Sequence, residues 1–567
     1  MTSPPTFADP DVLAEVIIAR VGRRVVLGLP LGLGKATHLA NALYRRAARD
    51  RSVSLTIFTA LTLEKPRYGS ELERRFLEPV VERLFGGYPT FDYAEAQREG
   101  ALPPNVEVNE FFFQAGTRLG SPQAQQSYIA ANYTHALRYI LERGANVVGQ
   151  LVARRGIGQA ARYSLSCNTD ITLDLLRARA EGRADFLLVG QVNSELPFMP
   201  GEGDLPAGAF AYVLDGPETD HPLFAPPNEP VETAHAAQGL HVAALVPDGG
   251  TLQLGIGATS DAVVAALLLR QKDNHAFRET MERLGGPPPP EGEAHFDPFR
   301  IGLYAATEMF VDGFLHLYRA GILSREVGGA VLHGGFFLGP KAFYAALREM
   351  APADLARLQM TAVSFTNQLY GKDEAARRRA RTGGRFVNGA MMATLTGAVV
   401  SDGLENGRVV SGVGGQFNFV DQAFALEDAH SILTLNATRA SKGKVESNIR
   451  WSYGHETVPR HLKDIVVTEY GAAHLRGRTD RQTVEAMLAI ADSRFQAGLR
   501  LQAMEAGKLP LVYFRMKGDN LPDRIERALA PARDAGLLSA FPLGTDFDEV
   551  ELRLLPALGR LRAAEGH

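Results

Sequence analysis

The sequence has almost no cysteine: Cys167 is the only one in 567 residues. That excludes a disulfide within the chain and a zinc site of four thiolates. A lone thiol suits a reducing compartment, and a buried one is usually an inert small hydrophobe. No apolar run reaches the ~18 residues that a membrane helix needs. The N-terminus, MTSPPTFADPDVLAEVIIAR, lacks a basic stretch followed by an apolar one, so it does not read as a secretory leader. A soluble, cytoplasmic protein is therefore expected. An excess of positive charge is missing as well, since 60 basic residues face 64 acidic ones for a net charge of −4. No global field exists to hold nucleic acid or an anionic membrane, although a local site for a polyanion stays open.

What is present is ordinary for a globular chain: 45% apolar and 22% charged residues, enough to bury a large core. Short apolar runs alternate with longer amphipathic stretches. The runs include RVVLG from Arg24, SLTIFTAL from Ser54, NVVGQLVA from Asn146 and FLLVGQV from Phe186. They continue with TLQLG from Thr251, AVLHGGFF from Ala330, SILTLNA from Ser431 and DIVVTEY from Asp464. This alternation predicts an α/β fold with mainly parallel sheets, whose strands lose their polar alternation because both faces are buried. The proline-rich PLFAPPNEP, from Pro222, marks the best boundary. The expected division is residues 1–225, residues 231–540, a Pro/Gly-rich surface insertion at 285–299 and a tail from 541 to 567.

Three glycine-rich turns follow predicted strands and open predicted helices: GLPLGLGK from Gly28, GIGATSDA from Gly255 and SGVGGQFNF from Ser411. Such turns hold a phosphate or an oxyanion on unpaired helix N–H groups, or they are plain tight turns. The first is not a nucleotide-binding P-loop. Leu29 stands where the first glycine belongs and Ala36 where the metal-binding hydroxyl belongs. YAATEMFVDG, from Tyr304, places Glu308 near the carboxyl end of a predicted strand, where open α/β sheets bind ligands. Basic residues Arg439, Lys442, Lys444, Arg450 and Arg460 gather towards the C-terminus. Glu469 and Tyr470 close a strand, and Gly471 is expected to turn it into a helix.

The ordered set LQLGIGATSDAV, YAATEMFVDG, RVVSGVGGQFNFV and VVTEYGAAHLRG resembles the acetyl-CoA hydrolase/transferase family, which includes acetate, succinate and 4-hydroxybutyrate CoA-transferases. The likeness is strongest from about Val231 to Phe495, and GQVNSELPF from Gly190 extends it weakly into the first half. It implies two tandem CoA-transferase-like domains, the second carrying the catalytic glutamate. Glu308 falls on that glutamate, with Ala306 where many members have histidine. Gly414 and Gly415 match glycines whose N–H groups serve the family's active site. Many members add an asparagine from a Gly-Gln-Val-Asn segment. This chain has Gly397-Ala398-Val399-Val400 there, so Asn388 or Gln416 is the expected substitute. Gly255, Gly257 and Ala258 are the expected CoA-binding turn.

The resemblance implies transfer of CoA from an acyl-CoA to a small carboxylic acid through a glutamyl-CoA thioester. CoA is then a substrate, with no tightly bound cofactor and no metal, and a homodimer is the expected assembly. A glutamate of ordinary pKa, about 4.3, would be ionised at neutral pH without a general base. Two other readings stay open: an acyl-CoA hydrolase using the same glutamate, and a protein that binds CoA without reacting.

Overall fold

The computed structural model describes residues 3–441, 443–510 and 519–565. Two mainly parallel sheets dominate. The first runs Thr6–Phe7, Tyr212–Leu214, Leu187–Val192, Val147–Arg155, Arg24–Leu31, Ser54–Ala60 and Val106–Glu110, all paired parallel. Two short antiparallel strands, Arg162–Ser164 and Asp204–Pro206, attach to its side. The second sheet runs Leu358–Met360, Leu332–Phe337, Tyr304–Phe310, Thr251–Gln253, Arg385–Gly389, His430–Thr434, Ile465–Thr468 and Gly471–His474. Only its last pair is antiparallel. The expected α/β architecture is thus observed.

Both sheets are wound alike. In each, an early strand lies centrally, its successors spread to one edge, and the remaining parallel strands spread to the other. The reversal falls between Arg24–Leu31 and Val147–Arg155 in the first lobe, and between Thr251–Gln253 and Arg385–Gly389 in the second. Such switch points open a crevice at the carboxyl ends of the strands, the usual ligand site of open α/β sheets. The strands have few polar residues because helices cover both faces: Val25 to Leu31 are all buried, as are Tyr304 to Thr307.

The lobes are in direct contact. The Thr169 N–H donates to Gly335 O at 3.3 Å, and its hydroxyl to Thr361 O at 2.8 Å. The Phe337 N–H donates to Cys167 O, and Phe113 N–H to Ser411 O. Residues 222–230 form no helix or strand, yet Leu223, Phe224 and Ala225 are buried and Tyr344 Oη donates to Phe224 O at 2.9 Å. Residues 285–299 are also irregular, but the segment does more than sit on the surface. Glu293 bonds Arg385 and His430, and His295 N–H reaches Ala244 O at 2.7 Å. Helix Glu549–Glu565 returns to the first lobe, where Glu551 pairs with Arg83.

Two local expectations need correction. Gly471 starts the antiparallel strand Gly471–His474, not a helix; its φ of +143° makes the tight reversal that glycine permits. The Ser411–Gly415 turn opens helix Gln416–Ala425 but follows no strand. Residues 410–414 instead lie along the first lobe, which supplies the missing main-chain partners.

Candidate active site

Glu308 stands in strand Tyr304–Phe310, next to the second lobe's switch point. Leu252 pairs with Ala305 on one side and with Arg385 on the other. Continuing that register by three residues brings Gly255, Glu308 and Asn388 to one level at the carboxyl ends of adjacent strands. Sequence alternation made this edge predictable, because a lone glutamate ends an otherwise buried apolar run.

One carboxylate oxygen meets both an amide and a glycine backbone. Asn367 Nδ2 donates to Glu308 Oε2 at 2.5 Å. Asn367 is itself buried, at the end of the short helix Val363–Thr366, and Thr366 Oγ1 donates to its Oδ1 at 2.8 Å. That second bond fixes which way the amide faces and aims its N–H₂ at the carboxylate. Gly415 lies against the same oxygen: a methyl placed there would overlap Glu308 Oε2 and Asn367 Nδ2. Glycine is needed at this position so that the backbone can approach the carboxylate. Gly414 precedes it with φ +57°, and its carbonyl accepts from Tyr133 N–H of the first lobe at 2.9 Å. Helix Gln416–Ala425 begins beside this contact, where its first N–H groups lack intrahelical partners.

Part of the Glu308 surface reaches solvent, but burial of the carboxylate pushes its pKa up to about 7. The Asn367 hydrogen bond opposes that rise, and the negative charge of Asp170 adds to it. The expectation of a glutamate with ordinary pKa is therefore corrected. Desolvation disfavours the charged form, and no cation is among the groups that offset it. An under-solvated carboxylate is a stronger nucleophile once ionised, because less water must be removed before it attacks.

The other expected residues distribute as follows. Gln416 turns away, with Nε2 donating to Gly389 O at 2.8 Å. Asn388 Nδ2 bonds Gln253 Oε1 at 3.3 Å. The amide on Glu308 thus comes from Asn367, which the sequence reading did not single out; Thr-Asn-Gln after a four-residue helix carries no local signature. Gly255, Gly257 and Ala258 form the open turn into helix Ala258–Lys272. Gly257 has φ +104°, and nothing lies within 4 Å of a methyl placed on Gly255 or Gly257, so a ligand can approach the backbone there.

A cavity of about 480 Å³ adjoins this turn and is lined by Thr259, Gly389, Thr434, Asn436, Arg439 and Tyr453, among others. Of the basic group, Arg439 reaches it while also bonding Glu446 at 2.7 Å and Asn448 at 2.8 Å. Arg450 shares Glu446, Arg460 pairs with Asp480, and Lys444 is exposed. Lys442 lies outside the described residues. Among the described residues, no group of three or more His, Cys, Asp or Glu is placed to hold a metal ion, and no helix is long and apolar enough to cross a membrane.

The first glycine-rich turn is no anion cradle. Lys35 Nζ is buried and donates to Pro30 O at 2.7 Å, Ala60 O at 2.5 Å and Leu61 O at 3.2 Å. The Gly34 N–H donates to Asn168 Oδ1 at 2.8 Å. The turn is filled by the protein's own groups.

Known proteins resemble this chain in sequence and in fold. Residues 339–503 match the model of the acetyl-CoA hydrolase/transferase C-terminal domain. A 4-hydroxybutyrate coenzyme A transferase of Clostridium kluyveri is 27% identical over 504 residues, covering 87% of this chain and 97% of that one. RipA from Yersinia pestis superposes with a TM-score of 0.65 at 19% identity, over 89% of this chain and 98% of that one. A 4-hydroxybutyrate CoA-transferase from Porphyromonas gingivalis gives a TM-score of 0.56 at 20% identity, over 88% and 98%. The two structural likenesses establish the shared fold. The family match spans residues 339–503, which contain the last two of the four ordered motifs, and the named relatives that this chain is similar to are CoA transferases.

Proposed function

We propose that this protein transfers CoA from an acyl-CoA to a carboxylic acid, with Glu308 as the attacking group. The observation that carries the reading is the placement of Glu308: a desolvated carboxylate at the switch point, with the Asn367 amide and the Gly415 backbone against it. The similarity to named CoA transferases supports the same reaction class.

The ionised carboxylate adds to the thioester carbonyl. The Asn367 N–H₂ carries two hydrogens, so while one stays on the carboxylate the other serves the oxyanion, with turn N–H groups at Gly414 and Gly415 as further donors. One such donor is typically worth about 3–4 kcal/mol. Collapse expels CoA thiolate and leaves an acyl-glutamyl anhydride. The thiolate then attacks the glutamyl carbonyl, releasing the carboxylic acid and forming a glutamyl-CoA thioester. A second carboxylate collects the CoA by the same steps reversed. The open turn Gly255–Ala258 and the Arg439 cavity take the pantetheine and nucleotide ends of CoA. Neither Asn388 nor Gln416 is needed as the oxyanion amide.

Incubation with acyl-CoA followed by borohydride tests this reading. A reduced adduct on the peptide containing Glu308 is expected, and its absence while turnover proceeds would refute the mechanism. Loss of acyl-CoA at equal rates with and without an acceptor acid would identify a hydrolase instead.

A further inference from the structure

Asp170 is a buried carboxylate that the mechanism above does not use. It opens helix Asp170–Ala180 in the first lobe and is fully enclosed. Its Oδ2 accepts from Tyr133 Oη and from Asn168 Nδ2, the latter at 3.1 Å. Its Oδ1 is buried and meets no side-chain donor, with the adjacent Ile171 N–H acting on the carboxyl. A buried carboxyl short of donors costs stability unless something else requires it.

The surroundings suggest what requires it. A methyl placed on Gly335 would lie 3.1 Å from the main-chain O of Glu308 and 3.9 Å from Asp170 Cβ, so this glycine separates the Glu308 backbone from the Asp170 side chain. Tyr133, also fully buried, bonds Asp170 through its hydroxyl and Gly414 through its N–H. One tyrosine therefore ties Asp170 to the turn that meets Glu308. Asn168 secures the far side by accepting from Gly34 N–H at 2.8 Å and donating to Leu31 O at 2.7 Å. The glycine-rich turn of the first lobe is thereby part of the same framework.

We propose that Asp170 is a positioning residue for Glu308: it anchors Tyr133, which holds the Gly414–Gly415 turn in place against that glutamate. The inference rests on reading Glu308 as the reacting group. The groups acting on the charge of Glu308 are the Asn367 amide and Asp170. Those acting on Asp170 are Tyr133, the Ile171 N–H, Asn168 and Lys35. Lys35 is divided between Asp170, Glu110 and Cys167, so it does not cancel the Asp170 charge alone. Burial, opposed by these contacts, leaves Asp170 at about 6, and burial leaves Glu308 at about 7.

The test is a double-mutant cycle on the full chain. The change in melting temperature caused by Glu308→Gln is measured at pH 8 with and without Asp170→Asn. Removing one charge should shrink the benefit of removing the other, so the Glu308→Gln gain is expected to fall by about a third or more in the second background. An equal gain in both backgrounds would overturn the proposal, whether or not the protein acts on CoA. In the active enzyme, Asp170→Asn should move the acid limb of kcat/KM down by about one pH unit. Tyr133→Phe should lower kcat about 10-fold or more with KM within about 2-fold, because the strut acts on the turn and not on substrate. A wild-type protein that forms no glutamyl adduct would sink the function proposed above and leave the thermal cycle to decide this one.

Discussion

Replacing Glu308 by glutamine should stabilise the protein at alkaline pH. The buried carboxyl binds its proton more tightly when folded, near 7, than when unfolded, near 4.5. Between those values the folded state holds more protons, so stability falls as pH rises through the window. The destabilisation is absent below about 4.5 and complete above about 7. At about 1.4 kcal/mol per unit, the displacement corresponds to about 3 kcal/mol. Glu308 retains some solvent contact, which reduces the expectation to about 1–2 kcal/mol. Glutamine keeps an oxygen to accept from Asn367 and removes only the charge. Thermal unfolding of both proteins should show the variant higher by about 1–2 °C at pH 8, because a chain of 567 residues unfolds with a large entropy. The difference should close as pH falls towards 5. A melting difference constant across that range, or a less stable variant at pH 8, would refute the reasoning.

Further outcomes follow from the same geometry. The acyl-transfer rate at limiting substrate should rise with pH up to about 7 and then level, since the ionised form of Glu308 attacks; a flat profile from pH 5.5 to 8 would contradict this. Asn367→Ala should cut kcat about 10²–10³-fold by removing an oxyanion donor. It should also move the acid limb upward, because the lost hydrogen bond was lowering the Glu308 pKa. Gly415→Ala should reduce adduct formation by a similar factor while the protein stays folded, because its methyl overlaps the carboxylate. Arg439→Ala should raise KM for acyl-CoA several-fold with little change in kcat, the mark of uniform binding lost.

Much of the architecture follows from local pattern. Runs such as Val25–Leu31 and Tyr304–Thr307 have no polar alternation, which only a sheet covered on both faces accommodates. Gly471 misled because a glycine after a strand permits either a helix or a hairpin; the choice was made by Ile465–Thr468, whose free edge pairs with Gly471–His474.

The sequence alone determined the α/β class and the glutamate near a strand's carboxyl end, because each is written in neighbouring residues; that Gly414 and Gly415 serve the same site was implied by the family resemblance. Tertiary structure decided the rest. Asn367 lies 59 positions from Glu308, and Asp170 and Tyr133 come from the other lobe, so no window of sequence contains their encounter. The raised pKa of Glu308 also belongs to the fold: desolvation depends on what surrounds a carboxylate in space, and chain neighbours do not specify that.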